Sequence, residues 1–430
     1  MPGKTDVKNT VRENEAGIIH YTTTSKGIGG ETRRRIADFI VRETTPEKTL
    51  QNIAFGEWEE KRETQFKAPE NPDGLEYLHV EMEKFNHDTN SALRKLTRHL
   101  QVSQKRVGYA GMKDKRAITV QRISIWNPDV SRLESFSSRY ICLHNPKWSA
   151  EKITIGNLVG NDFELVVRNI QMEKKKLENE TKKCLAEMEN GVINYFGEQR
   201  FGGLRMVTHI VGREFVAGNL EKAVMTYLTH PAVGEEEEIA IARKNLSESG
   251  DFARAIREYP AKFRYERSII HHLCRYPKDF VGAFQKLPKH LTYLFTHAYQ
   301  SYLFNMAINQ RLERKLGLGP IEGDVLEGGI PTVALPGFDS EFPAGAQGEI
   351  EKEILEKEGI TPEDFRVRSF PELGCSGARR KIALVPKKIR LLEISDDELY
   401  EGALKLRIGF WLEKGSYATT ILREMMKTQP

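Results

Sequence analysis

The chain has 430 residues, 39% hydrophobic and 29% charged, with a formal net charge of +4. That length predicts two or three domains of about 150 residues each, with enough apolar side chains to bury real cores. No apolar run approaches the ~20 residues of a bilayer span, and four cysteines with no CxxC pair exclude a disulfide framework and point to a reducing, cytoplasmic setting.

Residues 1–16 are polar, lack the apolar core of a signal peptide and read as a flexible N-terminus. Phe39 to Glu43 reads as a short strand. Leu78 to Glu83 alternates apolar and polar side chains, as a half-buried strand does. Asp88 or Thr89 caps a helix on which Leu93, Leu96 and Leu100 repeat at helical spacing, while Arg94, Lys95 and Arg98 lie elsewhere. Gly108 and Gly111 loosen the backbone before Asp114, and the β-branched stretch from Ile118 to Ile125 follows as a strand. Phe163 to Val167 is another strand, entered through a turn at Gly160-Asn161. A helix from about Met172 to Met188 turns Leu177, Cys184, Leu185 and Met188 inward and stops at Asn190-Gly191.

Beyond about residue 210 the pattern turns helical. Leu220 to Thr229, Phe252 to Tyr259, Tyr265 to Leu273 and Leu294 to Leu312 each fit a helix, the last with Phe295, Tyr299, Tyr302, Leu303 and Met306 on overlapping faces. The acidic run Glu235 to Glu238 is either solvated or a helix N-terminus favoured by the macrodipole. Frequent glycine and proline from Gly317 to Gly348 predict loops and short strands. Leu404, Leu406, Ile408 and Phe410 then alternate with Lys405, Arg407 and Gly409, and a turn leads to a short helix from Ala418 to Met426. Sheet patterns at both ends around a helix-rich middle suggest one domain inserted into another.

The chemistry concentrates in two stretches. Gly108 to Gln121 reads GYAGMKDKRAITVQ, with Asp114 between Lys113 and Lys115. A carboxylate among cations suits an enzyme that binds a polyanion, because a nearby guanidinium or ammonium holds the acid ionised. The same local composition also fits a solvated turn. The surrounding residues are bases rather than further acids, which argues against a metal, and His271-His272 lack a second ligand pair at zinc spacing. Asn194 to Gly203 reads NYFGEQRFGG: aromatics that can stack on a base, Arg200 to hold phosphate or stack, and glycines that allow close approach. Tyr195, Phe196 and Phe201 fit equally well as core anchors. Basic clusters at residues 33–35, 105–106, 113–116, 379–381 and 387–388 add to a nucleic-acid reading.

Together these stretches resemble the TruD family of tRNA pseudouridine synthases, in its archaeal form, over most of the chain. The resemblance rests on GYAGMKDKRAITVQ, on NYFGEQRFG, on EKFNHDT from Glu83, on HAYQSYLFN from His297 and on GSYATTILRE from Gly415. It implies an α+β fold: a pseudouridine-synthase catalytic domain with a mixed, mainly antiparallel sheet, formed by residues 17–210 and 385–430 and interrupted by an α/β TRUD domain at 211–384. It implies Asp114 as the catalytic carboxylate and Arg33, placed before the Asp38-Phe39 pair, as its basic partner, with Arg34 and Arg35 close enough to compete. Phe196 is then the aromatic that packs on the target base and Asn194 orients the loop. Arg200, Lys84 and Lys113 are expected to contact substrate. The expected substrate is tRNA, with U13 of the D arm as the site, and no cofactor, metal, membrane or obligate protein partner is expected.

Overall fold

The structure is a computed structural model that describes residues 10–51, 53, 67–71 and 73–428. They divide into two compact units, Thr23–Val192 with Leu384–Thr428, and residues 10–22 with Ile193–Ala383. The divisions expected after residues 210 and 384 thus fall after Val192 and Ala383, because the NYFGEQRFGG stretch packs with the helical unit.

The first unit is built on a mixed sheet. Seven of its strands form a continuous path: β1 (Phe39–Thr44), β2 (Tyr77–Phe85), β3 (Ile118–Trp126), β4 (Ile141–Ser149), β5 (Gly160–Ile170), β6 (Lys387–Asp396) and β7 (Leu404–Glu413). Their order is β6-β7-β5-β1-β3-β2-β4, and the short strands Glu31–Thr32 and Val107–Tyr109 pair with β5 and β3. The pairings are antiparallel except for β1 with β3, where Ile40 faces Ile118 in parallel register. The α+β class with a mainly antiparallel sheet is the one expected.

Strand alternation divides the sheet into an apolar and a charged face. On the apolar side, the helix Thr89–Leu100 lays Leu93, Leu96 and Leu100 on Leu78, Val80, Ile123 and Ile125. Asp88 starts that helix by accepting the Ser91 N–H at 2.8 Å. The helices Lys174–Met188 and Ala418–Met426 cover Phe163, Leu165, Ile408 and Phe410 with Leu177, Cys184, Ile421 and Leu422. Each such large side chain taken from water contributes about 1.5–3 kcal/mol. On the other face Arg42 pairs with Asp162 at 3.3 Å and Glu164 at 3.2 Å, and Arg407 also reaches Glu164. Two strands had no clear sequence pattern. β4 carries Pro146 and β6 opens on Lys387-Lys388, and both lie at the edges of the path, where proline and lysine are tolerated and blunt pairing with other chains.

The second unit is mainly helical. Leu220–Thr229, Phe252–Glu258 and Arg264–Arg275 lie where expected, and the long helix extends to Lys289–Glu313. The acidic run opens the helix Glu237–Ser249, with Glu237 and Glu238 in its first turn. The helix Thr208–Val216 packs closely on the long helix, and Gly212 permits it: a Cβ there would sit 2.0 Å from the Phe295 carbonyl oxygen. A helix Ala346–Glu358 begins at the end of the glycine-rich segment, and Leu326–Glu327, Ile330–Leu335 and Ala378–Lys381 form a three-stranded sheet. The expectation of a flexible N-terminus is corrected for residues 10–16. Val11–Glu15 is a helix closed by a Thr10–Glu13 capping box, and Asn305 Nδ2 donates to the Ala16 carbonyl at 2.8 Å. Residues 1–9 lie outside the described residues.

His209 is buried in this unit between Phe201 (ring centroids 5.1 Å apart) and Tyr302 (5.0 Å). Burial pushes its pKa down to about 4, with the neighbouring His230 adding to the shift. The folded state therefore keeps His209 neutral, while the unfolded chain takes up the proton near pH 6.5. Stability from this group is complete above about pH 6.5 and is lost as pH falls toward 4, to a limit of about 3 kcal/mol. Denaturant titrations of His209→Phe should show a shallower acid loss than the wild type in that window. Parallel profiles would refute the assignment.

Candidate active site

Asp114 stands on the loop that joins the short strand Val107–Tyr109 to β3, and the backbone around it is tied down by side chains. Gln121 Nε2 donates to the Gly111 carbonyl at 3.0 Å. Thr89 Oγ1 accepts the Lys113 N–H at 3.0 Å and donates to Gln121 Oε1 at 2.9 Å. Lys84, near the end of β2, is fully buried, and its Nζ donates to the carbonyls of His87 (2.8 Å), Asp114 (3.0 Å) and Lys113 (3.4 Å). Burial pushes the Lys84 pKa down to about 7, against the charge of Asp114, which raises it. Lys113 Nζ meets Glu43 Oε2 at 2.6 Å in a buried pair. Gly108 acts through close packing rather than looseness: a Cβ there would lie 2.1 Å from the Ile153 carbonyl oxygen, and neither Gly108 nor Gly111 has positive φ.

Two expectations change here. Lys84 and Lys113 were expected to touch substrate, but both ammonium groups are turned inward and committed to partners inside the unit. The Asp114 carboxylate, whose side chain is 44% exposed, is among the groups this loop presents outward, with Met112, Lys115 and Arg116.

The three adjacent arginines separate cleanly. Arg33 Nη2 lies 3.3 Å from Asp114 Oδ1, Arg34 pairs with Glu31 at 3.1 Å, and Arg35 pairs with Glu398 at 2.8 Å. The Arg33 guanidinium also rests over the Phe39 ring at 3.9 Å. Its backbone is left-handed, with φ 58°, a cost of about 1 kcal/mol for a residue with a Cβ. Arg116, on the acid's own loop, stabilises that conformation by donating to the carbonyls of Arg33 (2.9 Å) and Arg34 (3.2 Å).

Below this arm lies a buried charge cluster. Asp38 accepts the Arg35 N–H at 2.6 Å and Arg168 Nε at 2.8 Å, and Arg168 also binds Asp397 at 2.9 Å and Glu398 at 3.1 Å. Burial opposes the charge of Arg168, but its acidic partners outweigh that and raise its pKa. Arg168 in turn holds the Glu398 carboxyl down to about 2.

Asn194, Phe196 and Arg200 come together in the other unit. Asn194 Nδ2 donates to the Lys381 carbonyl at 2.9 Å and its Oδ1 accepts Arg380 Nη2 at 2.7 Å. Asn305 brackets Phe196, with Oδ1 accepting its N–H at 3.0 Å and Nδ2 donating to its carbonyl at 3.1 Å. The Phe196 ring is buried, edge-on to Phe304 at 5.3 Å, with the Arg380 guanidinium 4.3 Å from its centroid. Arg200 Nε donates to Ser301 Oγ at 3.0 Å. Among the described residues no cluster of three His, Cys, Asp or Glu could hold a metal ion, and no helix is long and apolar enough to cross a membrane.

A family model described as tRNA pseudouridine synthase D (TruD) matches residues 15–329 and 327–425. The chain belongs to the TruD family. Its relatives include a probable tRNA pseudouridine synthase D of Methanosarcina mazei, 38% identical over 97% of this chain and 98% of that protein. A protein of the same name from Methanopyrus kandleri is 40% identical over 81% of this chain and 85% of its own length. A crystal structure of the M. mazei TruD protein superposes with a TM-score of 0.81 at 37% identity, over 98% of this chain and 99% of that one.

In this TruD-family chain, sequence reading passed over Asn305, Arg380, Arg168 and Asp397. Asn305 closes the HAYQSYLFN stretch and Arg380 sits in a basic cluster, so each left a faint signal; Arg168 and Asp397 are 229 residues apart in the chain and left none. Replacing Arg168 with Met leaves Asp38 and Asp397 buried without their cation. Chemical denaturation should record a loss of roughly 3–5 kcal/mol. A loss below about 1 kcal/mol would mean that solvent reaches the cluster.

Proposed function

We propose that this TruD-family chain isomerises uridine to pseudouridine in tRNA, at U13 of the D arm, with Asp114 as the reacting carboxylate. The observation that carries the reading is the Asp114–Arg33 ion pair, 3.3 Å long, on a half-exposed and firmly tethered loop. The unit that holds this pair is the catalytic domain, and the helical unit is the inserted TRUD domain.

The reaction breaks the uridine N1–C1′ bond, turns the base and joins C5 to C1′. C5 gives up a proton and N1 gains one, so atoms and electrons balance without a cofactor. Asp114 begins the sequence by attacking C1′, by attacking C6 or by taking a sugar proton, and each route requires the ionised acid. The Arg33 guanidinium donates to that carboxylate at 3.3 Å and fixes its orientation. A base inside a helix cannot turn, so the nucleotide leaves its stack at a cost of a few kcal/mol. In the helical unit, Phe196 is the aromatic that stacks on a base of the RNA, a contact worth about 1–3 kcal/mol. Asn194 orients this stretch, and Arg200 binds a phosphate or stacks on a base.

Asp114→Asn should abolish pseudouridine formation while tRNA affinity stays within about threefold, because the reacting group is lost and the phosphate contacts remain. Turnover by the purified Asn variant would overturn the assignment. Arg33→Ala should lower kcat strongly. A rise in KM alone would instead make Arg33 a phosphate contact.

A further inference from the structure

Lys84 is an unusual buried cation. No carboxylate hydrogen-bonds to its ammonium group among the contacts described; three backbone carbonyls do, those of His87, Lys113 and Asp114. An ammonium has three N–H donors, so these acceptors match its whole capacity, and the side chain has no exposed surface. Two of the three carbonyls belong to the acid loop, and one is Asp114's own. The strand register explains how Lys84 arrives there: on β2 it sits opposite Thr119 of β3, a strand whose entry loop carries Asp114.

We propose that Lys84 is a positioning residue for the isomerisation, fixing the Asp114 backbone so that the carboxylate meets the ribose or base in one orientation. The inference rests on Asp114 being the reacting acid. Lys84 never touches the nucleotide; its effect passes through the Asp114 carbonyl. Nearby charges act in opposite directions: Asp114 and Asp88 favour the ammonium, while Lys113 and burial disfavour it. A cation kept in so costly a place is consistent with a functional demand on the loop rather than a demand for stability. The other tethers, from Thr89 and Gln121, hold Lys113 and Gly111, whereas Lys84 holds Asp114 itself.

The test compares Lys84→Met with the wild type on an unmodified tRNA transcript. A reacting group displaced by about 1 Å costs on the order of 100-fold in rate. The expected result is therefore a kcat lower by about 100-fold, with KM and tRNA affinity within about threefold and cooperative unfolding retained. Full kcat in Lys84→Met, or a higher KM at unchanged kcat, overturns the proposal. If the Met variant does not fold, Lys84→Gln, which keeps N–H donors without the charge, carries the same comparison; failure of both to fold makes Lys84 a folding residue and also overturns it. Asp114→Asn is run in parallel. A wild type that forms no pseudouridine refutes the reaction itself, whereas an active wild type, an inactive Asp114→Asn and an unimpaired Lys84→Met refute only the role of Lys84.

Discussion

Ile40 sits opposite Ile118, and because β1 and β3 run parallel there, the segments that lead into both strands leave the sheet at the same end. One of those segments carries Arg33 and the other Asp114. β2, antiparallel to β3, finishes at that end too, with Phe85 opposite Ile118 and Lys84 opposite Thr119. A single parallel pairing in a mainly antiparallel sheet thus gathers a carboxylate, its guanidinium and a buried ammonium from segments far apart in sequence. A slip of the β2 register by one residue would turn Lys84 to the opposite face of the sheet.

Holding the acid loop takes charges in different settings. Arg33 meets Asp114 where solvent reaches both side chains, so the pair is worth more for orientation than for stability. Lys113 and Glu43 pair in the interior, where losing either partner would leave a buried charge. Arg168 does the same for the arm that bears Arg33, binding Asp38 and Asp397 at once. Arg116 connects the two segments by donating to the carbonyls of Arg33 and Arg34. The exposed carboxylate is thus surrounded by a backbone with little freedom, which is how a site avoids reorganising during reaction.

Local periodicity made several elements legible. Leu93, Leu96 and Leu100 marked the helix Thr89–Leu100, and Leu220–Thr229 and Ala418–Met426 lie where their patterns put them. Edge strands were less visible, because β6 exposes much of its length and β4 contains Pro146. Within the candidate site, the basic context of Asp114 also fits a solvated turn, and it was the TruD resemblance that singled out Asp114 and put Arg33 beside it. What composition cannot show is the direction in which a charged side chain points. Lys84 and Lys113 were expected to contact substrate, yet the register of β2 turns Lys84 toward backbone carbonyls and the loop turns Lys113 toward Glu43. Phe196 fitted a stacking aromatic and a core anchor equally well by sequence; its ring is buried, and the Arg380 guanidinium, 184 positions away in the chain, lies against it.

The central claim is that this chain rearranges uridine without metal or cofactor. The direct measurement is to incubate the purified wild-type protein with an unmodified tRNA transcript in EDTA and map pseudouridine chemically, nucleotide by nucleotide. The account predicts a new pseudouridine at U13 and an intact strand. Binding without any new pseudouridine would contradict it, as would strand cleavage that EDTA suppresses.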